Sequence, residues 1–595
     1  MTIELGARPA TMCEVFAQTV ARLPQQVALR GAEGGQVYTY ATYLSAVADA
    51  AAALYGCGVR RGDVVALMFE NRPEFHVFDA AVMHLGAITC SIYNTSPRSD
   101  IAHIIESSGA RIALCEGKFA PGLSEAAPDL TVICTESGIE HTLFVAGLRR
   151  PDDFDFDVHR RAVQPDDVLT LIFTSGTTGK PKPVELTHRS MIAEILLAAE
   201  VLDFRPGDRV PSALPMAHAA QRWGTHYNAM AFGLEVVCIA DLSTLAANLV
   251  DIQPDIWGAV PRILEKMVGA VRARLDAEPD PSKRSLAGQA IEVGQRYAAA
   301  RLDIASGGRL PDELIAQREA VEPILANMRA AMGLGRLRWL MVGAAPTAPH
   351  VHDFLAGLGL EVVEVWGMSE LTSVATINPC GLQRPGTVGK ALRDVEITLA
   401  DDGEILVRGP IVMRGYRGQH EATTEAFTSD GRLRTGDLGS LDADGYLSIT
   451  GRKKEIIVNA AGKNISPAKV EAAVKAESRL IGSVMAVGDA RPFVTALLVL
   501  DPDALVEVAA QQGLQDGSAD AVLASEKVYV EIADAVTRAN TRLARAEQIK
   551  KYVVLKQFWL PGSDELTPTL KLKRRAIAEK YSSEIDALYG MAAVR

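Results

Sequence analysis

A chain of 595 residues is too long for one hydrophobic core and predicts two or three domains. Its 48% hydrophobic and 23% charged residues are typical of an ordinary globular protein, and its formal net charge of -12 argues against a general nucleic-acid-binding protein. No segment has the uncharged apolar length of a membrane-spanning helix, the N-terminus lacks a signal-peptide core, and the seven cysteines form no C-x-x-C pair. These features predict reduced thiols and a cytoplasmic location.

The first half of the chain alternates between short apolar strands and alanine-rich helices, from about Ala41 to Gly343. The run V-V-A-L-M-F from Val64, followed by a helical pattern over 74–85, is one example. Such alternation predicts layered α/β structure around a mostly parallel sheet. Between Arg262 and Arg338 the pattern becomes long and helical with interspersed charges, which indicates a helical excursion on the large domain.

The second half of the chain has a different texture. Past Val395 it consists of short β runs separated by Asp-Gly turns, such as Asp444-Gly445. After Lys454 an α+β pattern begins and closes with a helical segment over 574–588. We therefore predict a large domain over residues 1–451 and a small domain over residues 452–595.

A loop rich in glycine, hydroxyls and lysine, T-S-G-T-T-G-K-P-K, spans residues 174–182 directly after an apolar strand. Glycines let backbone N–H groups turn toward an anion, and lysine adds positive charge, so the loop is suited to a polyphosphate. It differs from a P-loop because only two residues separate Gly176 from Gly179, and Pro181 and Pro183 disfavour a following helix. The alternative is a hydroxyl-rich surface turn.

Two further segments suggest a nucleotide site. In W-G-M-S-E, which follows an apolar strand, Trp366 could stack on a flat base and Glu370 could bind Mg²⁺, although an aromatic closing a strand is more often core. In the T-G-D turn, Asp437 is suited to accept two hydroxyl hydrogen bonds from a ribose, and Arg452 could reach the same sugar or a phosphate. The alternative for this second segment is a hairpin with surface aspartates.

Near the C-terminus, the run T-P-T-L-K-L-K-R-R starts at Thr567. A lysine on a mobile loop can be delivered to a site and withdrawn again. A solvated basic turn is the more frequent meaning of such a run.

The order and spacing of these motifs resemble the adenylate-forming superfamily, which includes acyl-CoA synthetases, firefly luciferases and peptide-synthetase adenylation domains. The resemblance extends from Tyr38 to Lys571 and is strongest to bacterial long-chain fatty acyl-CoA ligases, because residues 430–454 are similar to their fatty-acyl signature. L-P-M-A-H-A-A-Q-R from Leu214 and V-P-R-I-L-E-K from Val260 are similar as well. The resemblance implies an α/β fold: a large multi-subdomain adenylation domain with layered sheets and a small β-barrel-like part, plus a small mobile α+β C-terminal domain.

The resemblance also implies roles for individual residues. Those for the ATP phosphates are Thr174, Ser175, Gly176, Thr177, Thr178 and Lys182. Those beside adenine and the acyl carboxylate are Gly343, Ala344, Ala345, Pro346, Trp366 and Gly367. Ser369 would bind the α-phosphate, Glu370 and Thr174 would bind Mg²⁺, and Asp437 and Arg452 would bind ribose. The resemblance makes Lys571, Glu370 and Arg452 the catalytic residues, with Lys571 bridging carboxylate and α-phosphate.

The remaining implied roles concern the acyl group and CoA. His218 and Leu264 would lie at the acyl pocket, Lys454 would be the hinge, and Gly462 would line the pantetheine path. Pro183 stands where the family usually has glycine, which could perturb closure of the phosphate loop. The other departures are Gln221 for a glutamate, Arg432 for a tryptophan, and Leu264 where some long-chain enzymes have a gating tryptophan. Leu264 predicts an open or differently gated acyl tunnel, and the departures together leave the reaction class intact.

The sequence thus predicts an ATP-dependent ligase that joins a medium- or long-chain fatty acid to CoA through an acyl-AMP intermediate, using ATP, Mg²⁺ and CoA. Gly462 and the complete hinge at 451–454 favour CoA over the alternative of an acyl-AMP ligase that loads a carrier protein. A non-catalytic acyl or nucleotide sensor and a luciferase-like oxidation are the more distant alternatives. The expected partners are these small molecules and no nucleic acid, with a homodimer and peripheral membrane contact left open.

Overall fold

The computed structural model describes residues 9–174, 180–304, 308–511, 521–522, 524–560, 562–567 and 571–590. Residues 175–179 of the predicted phosphate loop and residues 568–570 of the C-terminal motif therefore lie outside the described part. None of the helices within the described residues is long and apolar enough to cross a bilayer.

The largest sheet has eight strands. In spatial order they are Gly415–Tyr416, Pro183–Thr187, Val168–Phe173, Ile88–Ser91, Val64–Met68, Ile112–Cys115, Thr131–Cys134 and Leu143–Phe144. The first two strands pair antiparallel and the other six run parallel, as the strand–helix alternation predicts. Every residue of Val64–Met68 is buried, because helices cover both faces of a parallel sheet and make its strands continuously apolar.

Two smaller sheets complete the α/β layers. One has the strands Arg209–Ser212, Glu235–Cys238, Val27–Gly31 and Tyr38–Thr39, the last of them antiparallel. The other has the parallel strands Ile256–Ala259, Trp339–Val342 and Val362–Trp366, followed by the antiparallel Thr376–Ile377 and Lys390–Ala391. Two of its parallel strands end at Val342 and Trp366. The predicted site segment that starts at Gly343 follows the first of them, and the segment that starts at Trp366 begins at the end of the second.

The helices of this large part pack against the sheets or extend from them. They are Met12–Arg22, Tyr40–Gly56, Pro73–His84, Arg98–Ser108, Ala120–Ala126, Phe156–Ala162, His188–Ala198, Ala219–Gln221, Asn228–Phe232, Leu245–Ile252, Pro261–Asp276, Pro281–Ile304, Asp312–Ala331, Pro349–Gly357 and His420–Ala426. A π turn spans Arg222–Tyr227, and 3-10 turns span Gly117–Phe119, Val145–Gly147, Leu242–Thr244 and Ser369–Leu371. The helices Pro261–Asp276, Pro281–Ile304 and Asp312–Ala331 form the long helical segment that the sequence predicts between residues 262 and 338. The helix His188–Ala198 begins where Thr187 caps it, the Thr187 hydroxyl accepting the Ser190 N–H at 3.1 Å.

An antiparallel sheet follows the α/β layers and corresponds to the predicted β-barrel-like part. Its strands are Glu396–Leu399, Glu404–Arg408, Leu433–Leu441 and Leu447–Arg452, in that spatial order. Its last two strands pair Asp437 with Arg452, so the register alone makes these two residues neighbours.

The C-terminal part is the predicted α+β unit with its own apolar core. A hairpin of Ile457–Val458 and Asn464–Ile465 precedes a sheet of Ile481–Val487, Val494–Leu500 and Ile549–Leu555. The helices are Pro467–Lys475, Pro502–Gln511, Glu526–Thr541, Arg574–Lys580 and Ser582–Leu588. Buried residues such as Val470, Leu498 and Ile532 pack together apart from the core of the large part. The division between residues 451 and 452 stays a prediction.

Candidate functional site

A single cavity of about 2040 Å³ brings the predicted segments together. It lies where the carboxyl ends of the parallel strands, the antiparallel sheet and the C-terminal part meet. The predicted residues that line it are Thr174, Lys182, His218, Gly343, Ala344, Ala345, Pro346, Trp366, Gly367, Ser369, Glu370, Asp437, Arg452, Lys454 and Lys571. A deep cavity with a few convergent charged groups is the usual form of a small-molecule site.

The two ends of the glycine-rich loop are tied to each other. The Thr174 N–H donates to the Lys182 carbonyl at 3.1 Å, and the Lys182 N–H donates to Thr174 Oγ1 at 3.3 Å. The predicted phosphate contacts Ser175, Gly176, Thr177 and Thr178 lie outside the described residues. Pro183, the residue expected to disturb closure, is the first residue of a strand, a position that tolerates proline. The loop ends therefore meet despite this substitution.

Asp437 holds Trp366 and Arg452 in fixed positions. Its Oδ2 accepts the Trp366 indole N–H at 2.8 Å, and its Oδ1 lies 2.9 Å from Arg452 Nε. The Asp437 side chain is only 6% exposed, whereas its ion-pair partner Arg452 is 43% exposed, so the carboxylate is buried while the guanidinium reaches solvent. A carboxylate has about four acceptor positions, which leaves room for two hydroxyl donors beside these two bonds. The indole is held through its N–H, and Trp366 lines the cavity.

Glu370 is a buried carboxyl at the cavity wall, in the 3-10 turn Ser369–Leu371. The Tyr416 hydroxyl donates to Glu370 Oε1 at 2.9 Å. Burial raises the pKa of Glu370, while the Tyr416 hydrogen bond and the charges of Arg452 and Lys182 oppose that rise. Sequence reasoning missed Tyr416, because its short strand pairs with a strand of the large sheet that is distant in sequence. The Lys182 ammonium also lies 4.7 Å from the centre of the Tyr416 ring.

Gly343 and Gly367 each follow the last residue of a parallel strand and have no room for a side chain. A Cβ on Gly343 would lie 2.8 Å from Val365 Cγ2, and one on Gly367 would lie 1.8 Å from the Ser373 carbonyl oxygen. Glu364 lies two residues before Trp366 on the same strand, so both face the same side of the sheet. Burial raises the pKa of Glu364 to about 7, against a hydrogen bond with Thr347. Glu364 lines the cavity and was not found from the sequence.

Lys571 reaches the cavity from the C-terminal part. Its N–H donates to Thr567 Oγ1 at 3.0 Å, and its carbonyl accepts the Thr567 N–H at 2.9 Å. Burial, and next the charge of Arg452, lower the pKa of Lys571, whereas the carboxylates of Asp437 and Glu370 raise it. Burial, and to a smaller extent the positive charge of Lys571, lowers the pKa of His218 to about 4. His218 is therefore neutral at physiological pH.

Two predicted residues do not line the cavity. Leu264 is fully buried in an apolar cluster of the large part, while Ile263 and Met267 of the same helix line the cavity. The tunnel-gating position inferred for Leu264 therefore faces the core, since adjacent helix residues point about 100° apart. Gly462 is exposed in the turn of the C-terminal hairpin with φ +72°. Lys454, the predicted hinge, is exposed just after the strand that carries Arg452.

Ion pairs join the large part to the C-terminal part around this cavity. Lys475 Nζ lies 3.4 Å from Glu265 Oε2, and Arg262 pairs with both Glu265, at 3.2 Å, and Asp501. These pairs fix the arrangement in which the Lys571 side chain is inside the cavity.

Comparison with known proteins gives consistent matches. Residues 16–417 match the family described as AMP-binding enzyme, and residues 454–593 match the AMP-binding enzyme C-terminal domain. Over 439 residues the chain is 48% identical to fadD11 of Mycobacterium tuberculosis, whose name assigns it provisionally to the fatty-acid–CoA ligases. This match covers 74% of this chain and 76% of that protein. It is 34% identical over 564 residues to the long-chain-fatty-acid–CoA ligase FadD15 of the same organism, covering 93% and 92%.

A solved structure matches almost the whole fold. The adenylation domain of a carboxylate reductase from Mycobacterium chelonae superposes with a TM-score of 0.76 at 20% identity, covering 99% of this chain and 92% of that one. At this identity the match concerns the fold alone.

Proposed function

Because this chain belongs to the AMP-binding enzyme family, we propose that it is an AMP-forming fatty acid–CoA ligase for medium- or long-chain acids. The observation that carries the proposal is that the half-buried Lys571 lines the same cavity as Glu370 and the Asp437–Arg452 pair. In the proposed reaction, the fatty acid carboxylate attacks the α-phosphorus of ATP, pyrophosphate leaves, and the thiol of CoA then displaces AMP from the acyl-adenylate.

The nucleotide would occupy the part of the cavity around Trp366. The Trp366 ring would stack on adenine, and Asp437 with Arg452 would bind the ribose hydroxyls. Glu364, on the same strand face as Trp366, is suited to accept a hydrogen bond from the exocyclic amino group of the base. The backbone at Gly343 and Gly367 leaves no room for a larger side chain, which supports close packing of this wall.

The proposed first step needs positive charge where negative charge develops, since little covalent help is required. Lys571 would bridge the attacking carboxylate and the α-phosphate, and Lys182 at the end of the glycine-rich loop would face the phosphates. An anion bound beside Lys571 would add to the effect of Asp437 and Glu370, which already favour its ammonium form. His218, neutral beside Lys571, would pack against the acyl end of the adenylate.

The residues present fit a magnesium ion held mainly by substrate. Among the described residues no cluster of three His, Cys, Asp or Glu side chains could hold a metal on its own. Glu370 and the Thr174 hydroxyl line the cavity, and Mg²⁺ is often bound by one carboxylate together with phosphates and water. When bound, the ion would neutralise charge on the phosphates.

The proposed thioester step needs a different arrangement of the C-terminal part. Lys571 occupies the cavity and Gly462 lies on the surface, so the path that we propose for the pantetheine thiol opens only after Lys571 withdraws. Rotation about Lys454 would achieve this exchange, and such gating could set the turnover rate. A homodimer and peripheral membrane contact remain predictions.

The experiment is pyrophosphate release by the purified chain with ATP, Mg²⁺ and a series of fatty acids, with and without CoA. We expect CoA-dependent turnover with acyl-CoA as product, and a loss of pyrophosphate release in Lys571→Ala. Lys573→Ala is the matched control, because the Lys573 ammonium donates to the Ser563 carbonyl at 2.9 Å and does not line the cavity. Adenylate accumulation regardless of CoA would indicate an acyl-AMP ligase, and ligand binding without turnover would indicate a sensor.

A further inference from the structure

Lys182 and Glu370 carry opposite charges, line the same cavity and both contact Tyr416. Among the residues that the structure describes, no ion pair joins the Lys182 ammonium to the Glu370 carboxylate. A direct pair would neutralise both groups, whereas the proposed reaction needs one for the ATP phosphates and the other for Mg²⁺. The contacts of Tyr416 explain how the two charges stay near each other without pairing.

Tyr416 contacts each of the two groups through a different part of its side chain. The Lys182 ammonium lies over the face of the ring, 4.7 Å from its centre, which is within the range of a cation–π interaction. The Tyr416 hydroxyl, at the edge of the ring, donates to Glu370 Oε1 at 2.9 Å. This bond uses one of about four acceptor positions of the carboxylate, so others stay available to a cation.

The backbone of Tyr416 is fixed beside the end of the glycine-rich loop. In the large sheet Tyr416 is the partner of Val184, which is two residues after Lys182. The Tyr416 N–H donates to Thr423 Oγ1 at 2.9 Å, which ties the strand to the helix His420–Ala426. Because these bonds restrain the main chain, the ring has a fixed position relative to the loop end at Lys182.

The segment that ends in Tyr416 also runs along the turn that carries Glu370. The Met413 N–H donates to the Glu370 carbonyl at 2.9 Å. The Thr372 hydroxyl donates to the Ile411 carbonyl at 2.7 Å. Thr372 has φ +66° and ψ −60°, the centre of a γ-turn that is strained for a residue with a side chain and is closed by a 2.8 Å hydrogen bond between its two neighbours. Two bonds thus hold the strained turn, and the Tyr416 hydroxyl adds a third, to the carboxylate itself.

We propose that Tyr416 is a positioning residue that presents Lys182 to the ATP phosphates and Glu370 to Mg²⁺ as two separate charges. This inference rests on the proposed ligase function and on the fit of the cavity to a magnesium ion held mainly by substrate. The ring and the hydroxyl each satisfy one charge, so neither group turns to the other before ATP binds. Loss of the hydroxyl alone is expected to weaken the Mg²⁺-dependent part of ATP binding, and loss of the ring to weaken Mg²⁺-free binding as well.

The experiment is calorimetric titration of the purified chain with ATP, once with Mg²⁺ and once with EDTA, in the absence of fatty acid and CoA. In Tyr416→Phe the Kd for ATP with Mg²⁺ should rise about ten-fold, because a hydrogen bond to a charged group is lost, while the Kd with EDTA should stay within about two-fold of wild type. In Tyr416→Leu the Kd with EDTA should also rise, by about three-fold, because the cation–π contact is lost. An equal change in Tyr416→Phe with and without Mg²⁺ would show a general structural role and would overturn the proposal.

Tyr446→Phe is the matched control, because Tyr446 makes the same two kinds of contact away from the site. Its hydroxyl donates to the Leu382 carbonyl at 2.7 Å and the Lys390 ammonium lies 4.6 Å from its ring centre, but Tyr446 does not line the cavity. ATP affinity in this variant should equal that of wild type under both conditions. In a Glu370→Gln background, adding Tyr416→Phe should cause little further loss with Mg²⁺, because the hydroxyl acts through that carboxylate. Additive losses would overturn the proposal.

The wild-type titration separates this inference from the ligase proposal. Absence of ATP binding both with Mg²⁺ and with EDTA would refute the nucleotide site, and the ligase and the role of Tyr416 with it. ATP binding by the wild type without a Mg²⁺-specific loss in Tyr416→Phe would refute only the role of Tyr416.

Discussion

Asp437 and Arg452 face each other across two antiparallel strands, with 2.9 Å between Oδ1 and Nε, and the other Asp437 oxygen holds the indole of Trp366. One carboxylate thus connects the antiparallel sheet to the end of a parallel strand in another sheet. The pair lies at the last strand before the C-terminal part begins. A change at Asp437 is therefore expected to affect the orientation of both neighbours.

Asp437→Asn should weaken nucleotide binding selectively. The change removes the charge that orients Arg452, and an amide offers fewer acceptor positions to a ribose. Hydrogen bonds to charged groups contribute about 1.5–3 kcal/mol, so the KM for ATP should rise roughly 10- to 100-fold. The KM for the fatty acid should change much less. Steady-state kinetics with each substrate varied in turn measures this, and Asp444→Asn, in an exposed turn paired with Arg384 at 2.8 Å, is the control. Equal increases in both KM values would contradict it.

Deprotonation of Lys571 should reduce the rate of the adenylation step at alkaline pH. Burial and Arg452 lower the pKa of Lys571, so its ammonium, required for charge stabilisation, is lost as pH rises through a value below that of an ordinary lysine. Pyrophosphate release should fall accordingly. In Lys571→Arg the side chain stays charged, so the variant should be slower at neutral pH but should lack this descending limb. A descending limb shared by both proteins would assign the titration to another group.

The Glu265–Lys475 pair should favour adenylation over thioester formation. It joins the large part to the C-terminal part while Lys571 is in the cavity, and both side chains are partly buried. Glu265→Gln should lower the rate of pyrophosphate release several-fold, because the closed arrangement becomes less populated. Transfer from a preformed acyl-adenylate to CoA should not slow.

The matched test of this pair is a charge exchange. Glu265→Lys combined with Lys475→Glu should recover part of the adenylation rate lost in either single variant, because the exchanged charges again attract each other. Rapid-quench measurement of each half-reaction separates the two steps. An equal loss in both half-reactions would show that the pair only stabilises the fold.

Glu194 should make stability fall as pH rises above about 4.5. Its buried carboxyl accepts the Val374 N–H behind the Glu370 segment, and burial raises the pKa of Glu194 well above 4.5. The stabilisation is complete below the unfolded pKa near 4.5 and is lost as pH rises toward the folded value. Glu194→Gln cannot ionise, so its melting temperature relative to wild type should increase with pH. Glu200→Gln, at an exposed pair with Arg393, should give no such increase, and a constant difference for Glu194→Gln would contradict the assignment.

The sequence by itself determined the fold class and most of the site. Apolar periodicity gave the parallel strands, the helical excursion and the β texture past Val395, because burial of apolar faces leaves a local signature. The motif residues Thr174, Lys182, Trp366, Glu370, Asp437 and Lys571 all line one cavity. Asp437, predicted in a turn, lies instead within the strand Leu433–Leu441, whereas the other five lie at a strand end, in a turn or in a loop, where short polar motifs are read directly from the chain order.

Only the tertiary structure decided which other groups meet those residues. Tyr416 bonds Glu370 across 46 positions because two strands pair in the large sheet, and no local pattern encodes that pairing. Leu264 faces the core because the phase of its helix is set by packing against neighbouring elements. Motifs are local, whereas helix phase and strand neighbours depend on contacts between distant segments.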